Sequence, residues 1–136
     1  MADQSQRKLP RPTPETAHYW EGTKAGELRL QKCGDCSTIY FPPGPFCPSC
    51  SSRNVSVFAA SGKATLYSYT ISHIPAPGLE PPYAVAVVTL AEGPRMMTNI
   101  VGDDALEVEI DDAVEVCFEA RGTGGAKVPQ FRLAGR

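Results

Sequence analysis

The sequence predicts a mainly β protein in which a short N-terminal helix precedes a small cysteine-containing ribbon and a five-stranded barrel. Three observations support this fold class. Four cysteines form two close pairs within residues 33–50, a helix-like segment lies before them, and five segments with alternating apolar residues follow. We therefore expect a tail and helix at residues 1–26, a ribbon at 27–58 and a barrel at 59–136.

Length and composition are those of a small globular protein. The chain has 136 residues, 21% charged and 42% hydrophobic, which fits one ordinary domain or two very small ones. No apolar run approaches the roughly 20 residues of a membrane-spanning helix, and residues 1–8 lack the apolar core of a secretory signal. We expect a cytoplasmic protein, whose cysteines serve as metal ligands or free thiols rather than disulfides.

The charge is distributed unevenly between the two halves of the chain. Residues 1–60 contain seven Lys or Arg and five Asp or Glu, whereas residues 61–136 contain six and ten. An acidic barrel would repel a phosphate backbone, so the charge pattern argues against nucleic-acid binding.

The N-terminal region combines a tail with a helix start. Residues 1–13 contain two prolines and no apolar periodicity, so we expect them to be extended or mobile. Thr13 then supplies a capping hydroxyl, followed by Pro14 at the first helical position and an early acid. This pattern predicts a helix over residues 14–24.

The predicted helix needs a docking surface. Helical spacing places Ala17, Trp20 and Lys24 on one face, and Gly22 and Gly26 are possible stops. A helix this short is marginal alone. It must therefore pack on its own domain or on a partner.

The four paired cysteines predict a metal site. Cys33 and Cys36 are separated by two residues, as are Cys47 and Cys50, with ten residues between the pairs. Each pair alone would equally fit a redox dithiol, but two pairs at this spacing favour one ion held by all four thiolates, and Gly34 suits a tight turn. Four thiolates leave no open coordination position, which is typical of structural zinc. Iron in a rubredoxin-like site remains the alternative.

The strand pattern predicts a short sheet around the cysteines and a barrel after them. Cys117 falls in the fourth barrel strand, where it is expected to be a buried apolar residue. Between strands lie a proline-rich loop at 75–82, a turn at 91–94 and a helical turn at 103–106. The predicted strands are residues 28–30 and 39–41 in the ribbon, and 62–73, 83–90, 95–101, 113–121 and 127–133 in the barrel.

The order of these five strands, with a helical turn between the third and fourth, fits a small barrel of OB type. Alternation predicts an inner face with Val114, Val116 and Phe118 on the fourth strand. On the first strand it assigns Tyr67, Tyr69, Ile71 and His73 to one face, and Leu66, Ser68 and Thr70 to the other.

An ordered set of motifs covering nearly the whole chain resembles the acyl-CoA-associated zinc-ribbon/OB-fold family, a former domain of unknown function 35. This set of motifs includes all four predicted ligand cysteines. The motifs are Tyr19-Trp20, Gly26-Glu27-Leu28, Cys33-Gly34-Asp35-Cys36, Phe41-Pro42-Pro43, Cys47-Pro48-Ser49-Cys50, residues 61–68, Pro82-Tyr83, Glu92-Gly93-Pro94-Arg95 and Val128-Pro129-Gln130-Phe131.

The resemblance implies the role of a companion subunit. Members of this family accompany thiolase-fold enzymes, including thiolases, 3-hydroxy-3-methylglutaryl-CoA synthases, polyketide-type acyltransferases and lipid-transfer-type aldolases that cleave steroid side chains. There they are thought to bridge enzymes, bind acyl-CoA or complete a neighbour's substrate channel. The implied function is a zinc-binding accessory subunit of an acyl-CoA enzyme.

The residues themselves indicate no independent chemistry. His18 and His73 lie in segments of different type and are expected to be solvated or packing residues. The pairs Asp103–Asp104 and Asp111–Asp112 are expected to be turn residues, because neighbouring side chains in a strand point to opposite faces. No nucleophile elbow, phosphate-binding loop or zinc-protease helix is present. We therefore expect a non-catalytic subunit.

Partner and ligand contacts are predicted only as regions. The Trp20 helix, the ribbon surface and the loop 75–82 are candidate contacts with a thiolase-fold partner, since tryptophan and tyrosine often anchor interfaces. If a CoA phosphate is bound, Arg29, Lys32 and Arg53 are the nearest basic residues in the sequence of the ribbon.

Two other functions remain open. OB-folds and zinc ribbons both occur in nucleic-acid-binding proteins, and Tyr67 and Tyr69 could stack on bases. Against this, the barrel half is acidic and its basic residues form no cluster in the sequence. A purely structural interaction module without any ligand is the other possibility.

Overall fold

The computed structural model describes residues 8–134 and contains one α-helix, a three-stranded sheet and a closed barrel, which confirms the mainly β prediction. None of the helices in this range is long and apolar enough to cross a membrane. The elements are α1 (Ala17–Lys24), β1 (Arg29–Cys33), β2 (Ile39–Tyr40), β3 (Val55–Ala59), β4 (Lys63–Ser72), β5 (Tyr83–Leu90), β6 (Arg95–Ile100), a 3₁₀-helix (Ala105–Glu107), β7 (Ala113–Arg121) and β8 (Ala126–Leu133).

The segment before the helix is held against the turn between β7 and β8. Arg121 Nη1 donates a hydrogen bond to the Lys8 carbonyl at 3.5 Å. A Cβ atom placed on Gly122 would lie 3.1 Å from Cδ2 of Leu9, so the two residues are in close contact. Residues 8–13 form no helix or strand, in keeping with the predicted extended tail, and residues 1–7 lie outside the described part of the chain.

Helix α1 begins three residues later than predicted. The N–H groups of Thr16 and Ala17 donate to the Thr13 carbonyl at 3.0 and 2.8 Å, which closes a turn before the helix. The Thr13 hydroxyl, which was predicted to cap the helix, lies 3.1 Å from the Thr16 hydroxyl, and Thr13 is not the N-cap residue. The N-cap residue is Thr16, and its side chain makes no capping hydrogen bond.

The helix ends at the second of the two predicted glycine stops. Gly26 has φ +81°, a left-handed conformation that costs glycine little. Its N–H donates to the Thr23 carbonyl at 3.1 Å, and the Glu27 N–H donates to the Gly22 carbonyl at 2.8 Å. This pair of bonds is a Schellman motif, which satisfies the last carbonyls of the helix.

Helix α1 docks on its own chain. Its buried residues are Tyr19, Gly22 and Thr23, not the face of Ala17, Trp20 and Lys24 that spacing alone suggested. The Tyr19 ring is 4% exposed, and its centroid lies 5.0 Å from that of Trp20 and 5.5 Å from that of Phe41. These rings join the helix to the ribbon.

The ribbon is an antiparallel sheet in the order β2-β1-β3, with β1 in the centre. The predicted strands at 28–30 and 39–41 are confirmed in position, whereas β3 was not predicted. Cys33 ends the central strand and pairs with Val55 of β3. The sheet therefore fixes the backbone from which the first cysteine pair projects.

The five remaining strands close a barrel in the order β4-β5-β6-β8-β7. Ala64 of β4 pairs with Val114 of β7 to complete the closure. Ile100 of β6 and Phe131 of β8 form a parallel pairing, and the 3₁₀-helix lies between β6 and β7. This is the predicted five-stranded OB-type barrel, with its helical turn in the predicted place.

A β-bulge at Tyr67 changes the faces of β4. Leu66 pairs with Val88, whereas Tyr69 pairs with Ala86, so one extra residue is accommodated between them. Cross-strand partners share a face, and Val88 and Ala86 are both buried in the barrel. Tyr69 therefore faces the same side as Leu66, and the prediction that Tyr67 and Tyr69 share a face is wrong.

Helix, ribbon and barrel share one hydrophobic core. Tyr19, Leu28 and Leu30 are each at most 4% exposed and belong to the same cluster as the barrel interior. Val114 lies in that cluster with Val116 and Phe118 packed against it, as predicted. Cys117 is half-buried rather than part of the core.

Candidate metal centre

The two cysteine pairs adopt the same turn. The N–H of Ser37 donates to the Cys33 carbonyl at 3.0 Å, and the N–H of Ser51 donates to the Cys47 carbonyl at 2.9 Å. Ser37 and Ser51 also share a left-handed backbone, with φ of 64° and 63°. The sequence repeat Cys-x-x-Cys-Ser is thus a repeat of structure.

The same repeat fixes the first sulfur of each pair. Cys33 Sγ accepts hydrogen bonds from the N–H groups of Asp35 and Cys36 at 3.3 and 3.4 Å. Cys47 Sγ accepts one from the N–H of Ser49 at 3.4 Å. Such N–H donors favour the thiolate form of the sulfur that they contact.

The four sulfurs converge on one point. Cys33 Sγ lies 3.6 Å from Cys50 Sγ, Cys36 Sγ lies 3.4 Å from Cys47 Sγ, and all four sulfurs lie within 4.8 Å of one another. Tetrahedral Zn–S bonds of about 2.3 Å place sulfurs roughly 3.8 Å apart, so the cluster has the size that such an ion requires. It is the one group of three or more possible ligand side chains found among residues 8–134.

Electrostatics at the cluster also favour a cation. The N–H of Cys36 lowers the pKa of the Cys33 thiol, and the Thr38 hydroxyl lowers the pKa of Cys36 to about 6. At Cys50 the N–H of Ser52 lowers the pKa, but the thiols of Cys36 and Cys33 raise it more, to about 12. Four adjacent sulfurs cannot all carry charge unless a positive ion compensates them.

Polar side chains connect the turn of the first cysteine pair to the segment that precedes β3. The Ser52 hydroxyl donates to Asp35, and Asn54 Nδ2 donates to the other carboxylate oxygen of Asp35 at 3.1 Å. The Ser52 bond is the main reason that the pKa of Asp35 is lowered, with Asn54 second. Glycine at position 34 suits this packing, because a Cβ there would lie 2.5 Å from Asn54 Nδ2 and the Asn54 side chain would have to move.

Accessibility divides the four cysteines into two classes. Cys33 and Cys47, the first of each pair, are buried, whereas Cys36 and Cys50 are exposed. The cluster therefore lies at the edge of the ribbon, with one sulfur of each pair facing the protein. With all four sulfurs engaged, the site has no position for a substrate, which makes it structural.

The histidines and the aspartate pairs, for which no chemistry was predicted, do not join the cysteine cluster. Burial and then the neighbouring Arg29 lower the pKa of His18, whose Nε2 is buried without a hydrogen-bond partner, while His73 is exposed after β4. The aspartate pairs lie in turns, as predicted: Asp104 precedes the 3₁₀-helix, and Asp112 Oδ2 accepts the Glu109 N–H at 2.8 Å.

Two of the basic residues suggested for CoA phosphate, Arg29 and Arg53, contact other groups in the structure. Arg29 Nε donates to Glu27 at 3.0 Å, and its Nη1 donates to the His18 carbonyl at 3.3 Å. The guanidinium of Arg53 lies 5.0 Å from the centre of the Phe46 ring. Two of the three predicted residues therefore have local partners.

Sequence analysis missed a groove that lies where helix, ribbon and barrel meet. It has a volume of about 330 Å³ and brings the Tyr19-Trp20 and Phe41-Pro42 motifs together with Met97 of β6. Both motifs were recognised as sequence features. Nothing in their spacing showed that they would meet.

The fold and the four-cysteine cluster define a class of protein, the zinc-ribbon/OB-fold proteins. Two family models match the chain in the same order as the two units seen here. The rubredoxin-like zinc ribbon domain of ChsH2 matches residues 20–56, and the C-terminal OB-fold domain of ChsH2 matches residues 58–119.

The chain belongs to the DUF35 family. It is similar to the "DUF35 domain-containing scaffold protein" of Methanothermobacter thermautotrophicus, with 36% identity over 108 residues that cover 76% of this chain and 81% of the relative. In solved structures it resembles a chain of the "Ltp2-ChsH2(DUF35) aldolase", with a TM-score of 0.81 and 36% identity over 92% of this chain and 98% of that one.

Two longer relatives are subunits of acyl-CoA enzymes by name. The "Probable enoyl-CoA hydratase alpha subunit" of Thermomonospora curvata is 41% identical over 76% of this chain and 34% of its own length. The "3-oxo-4,17-pregnadiene-20-carboxyl-CoA hydratase alpha subunit" of Mycobacterium tuberculosis is 34% identical over 80% of this chain and 35% of its own length. The chain therefore spans about a third of these relatives.

Proposed function

We propose that this chain is a non-catalytic, zinc-binding accessory subunit of a thiolase-fold acyl-CoA enzyme. In that enzyme it would bridge or complete the acyl-CoA site. The observation that carries the proposal is the likeness to a chain of the Ltp2-ChsH2(DUF35) aldolase, which spans 92% of this chain and 98% of that one. A chain that matches one component of a two-component enzyme over its whole length is expected to have a partner of its own.

The metal in this proposal is zinc, held by Cys33, Cys36, Cys47 and Cys50. The sulfur separations fit a tetrahedral ion, and the matching family model describes a zinc ribbon. The ion would link the turn after β1 to the turn before β3 and so stabilise a segment with few core residues of its own. It would take no part in the reaction.

The acyl-CoA chemistry in this proposal belongs to the partner. The relatives named as hydratase alpha subunits are about three times as long as the matched region, so their catalytic residues need not lie in it. Steroid side-chain aldolysis is the proposed reaction class, because one similar chain comes from an aldolase and one relative acts on a steroid CoA thioester by name. We place the complex in the cytoplasm.

Co-expression with the thiolase-fold proteins encoded beside it tests the proposal. We expect one of them to co-elute with this chain in size-exclusion chromatography, with about one zinc per copy of the chain by elemental analysis. The Cys117→Ser variant serves as a matched control for Cys47→Ser, which should lose the metal. Separate elution of every candidate partner would contradict the proposal, and retention of the lone chain on single-stranded DNA would favour a nucleic-acid function instead.

A further inference from the structure

The outer edge of the ribbon sheet is formed by β3, which pairs with β1 and with no other strand among residues 8–134. At one end of this pairing the N–H of Gly34 donates to the Asn54 carbonyl at 2.7 Å. At the other end the N–H of Ala60 donates to the Leu28 carbonyl at 2.7 Å. Hydrogen bonding alternates along an antiparallel strand, so even-numbered residues of β3 bond to β1. The odd-numbered residues therefore point their N–H and C=O groups to the free edge.

The free edge of β3 consists of Val55, Val57 and Ala59. The N–H of Val55 donates to the Arg53 carbonyl at 2.9 Å, so the first outward N–H group already has a partner. Val57 and Ala59 supply the other two outward N–H groups, and both residues are exposed. Val57 is 44% exposed although it lies in the middle of the strand. Such a row of outward backbone groups is a template for an added strand.

This edge lacks the features that usually protect a sheet edge, which are charged residues, prolines, bulges or a short strand. The opposite edge of the same sheet is β2, which has only two residues and is followed by Pro42 and Pro43. By contrast, β3 has five residues with no charge, no proline and no irregularity in its register with β1. The barrel strands form a closed ring. In the part of the chain that the structure describes, β3 is therefore the one unprotected sheet edge.

We propose that two copies of this chain associate by antiparallel pairing of their β3 strands about a two-fold axis at Val57. Since the described chain has one unprotected edge, strand pairing between copies can involve only β3 with β3. In this register Val57 lies opposite its own counterpart, and Val55 lies opposite Ala59 of the second copy. All outward backbone groups then face each other, and the three apolar side chains meet the same three of the second copy. Such an isologous interface closes at two copies.

The proposed register brings no like charges together. The charged residues nearest to β3 in the sequence are Arg53 before it and Lys63 after it. With Val57 on the axis, Val55 and its counterpart lie about 14 Å apart along the strands, because each residue adds about 3.4 Å. Arg53 precedes Val55, so the two arginines lie at opposite ends of the paired strands. This distance exceeds the roughly 10 Å over which exposed charges interact in 0.1 M salt.

Sedimentation of the zinc-loaded chain over a range of concentrations tests the association. Five residues from each copy form a small interface, so the dimer should be reversible and should appear between about 10 μM and about 1 mM. We expect the average mass to rise from that of one chain toward that of two and to rise no further. A single-chain mass at every concentration, or growth beyond two chains, would overturn the proposal.

Opposite charges at position 57 test the two-fold axis. Val57→Lys and Val57→Glu each place like charges face to face, so each variant alone should be monomeric while it retains its zinc. An equal mixture should dimerise again, because opposite charges then face each other. Ile74→Lys, at an exposed apolar residue outside β3, is the matched control and should dimerise like the wild type. Failure of the mixture to dimerise, or loss of the dimer in the control, would refute the edge assignment.

A cross-link gives a second test that needs no added charge. Directly opposite residues of a hydrogen-bonded pair have Cα atoms about 5.5 Å apart, which is within the range of a disulfide. The zinc-loaded Val57→Cys variant should therefore form a covalent dimer on air oxidation. Ile74→Cys at the same concentration should remain a single chain. Equal cross-linking of the two variants, or none in Val57→Cys, would count against the proposed register.

The alternative occupant of this edge is an extended segment of the thiolase-fold partner. The dimer does not rest on the proposed function, so the two are measured separately by following co-elution of the partner with Val57→Lys. We expect this variant to bind the partner as the wild type does. If the lone wild-type chain is monomeric and Val57→Lys loses the partner, the edge binds the partner, self-pairing is overturned and the accessory role stands.

Discussion

At the scale of single residues, the metal centre is built from a repeated turn. Ser37 and Ser51 both have left-handed backbones directly after the second cysteine of a pair. The cysteine spacing alone was enough to predict that four sulfurs would converge, because each pair chelates from its own turn. It could not predict why residue 34 is glycine, since Asn54 is distant in sequence and contacts Gly34 only in the folded chain.

The four clustered cysteines should differ from the fifth, Cys117, in their effect on zinc binding. We expect Cys47→Ser to abolish stoichiometric zinc binding, because it removes a buried sulfur from the cluster. A structural zinc site can supply on the order of 10 kcal/mol, so the Tm should fall by more than about 10 °C. Elemental analysis and calorimetry check this. Cys117→Ser should keep its zinc, and loss of zinc from that variant would contradict the assigned ligands.

His18 should make stability depend on pH. Burial, followed by Arg29, lowers its pKa below the ordinary value of 6.5, so the unfolded chain binds more protons in the window just below that value. Its contribution is present above pH 6.5 and is lost as the pH falls. Denaturant unfolding from pH 7.5 to 5.5 should show a smaller decline for His18→Asn than for the wild type. Parallel pH profiles would contradict this assignment.

At the scale of elements, alternation identified all five barrel strands but not their irregularities. After the bulge at Tyr67, the residues of the second half of β4 face the opposite side from the one that simple alternation predicts. An added residue leaves no signal in a sequence in which polar and apolar residues alternate. Similarly, Thr13 and Thr16 are both acceptable caps in sequence. The bonds of Ala17 and Thr16 to the Thr13 carbonyl form a turn first, which shifts the start of α1.

The packing of α1 on the ribbon should depend on the aromatic ring of Tyr19. Tyr19 is 4% exposed and contacts Trp20 and Phe41, so its removal leaves a cavity where helix and ribbon join. We expect Tyr19→Ala to lower the free energy of unfolding by about 3–5 kcal/mol in chemical denaturation. The same substitution at Tyr69, which is 39% exposed, is the control and should cost far less. Equal losses would show that α1 is not anchored in this way.

At the scale of the whole molecule, helix, ribbon and barrel share one core, through Tyr19, Leu28 and Leu30. The sequence predicted the separate units but not this continuity, because it depends on packing between distant segments. The groove beside Trp20 has the same origin. It is lined by residues of the helix region, the ribbon, β6 and β8, which no local pattern brings together.

The shared core couples the metal to the barrel. Removal of zinc by a chelator should shift one cooperative unfolding transition to lower temperature, since the ribbon contributes leucines to the barrel's cluster. Hydrogen exchange should accordingly accelerate in β5 and β8 as well as in β1. If the ribbon exchanged freely while protection in the barrel was unchanged, the two units would be independent and the coupling would be wrong.

The most direct test of the accessory role is the activity of the reconstituted complex. The thiolase-fold partner, this chain and the two together are assayed with an acyl-CoA substrate of the partner, for thiolysis, condensation and aldol cleavage. The account predicts turnover by the complex, none by this chain alone, and at least tenfold lower turnover by the partner alone. Turnover by this chain alone, or equal activity of the partner with and without it, would contradict the account.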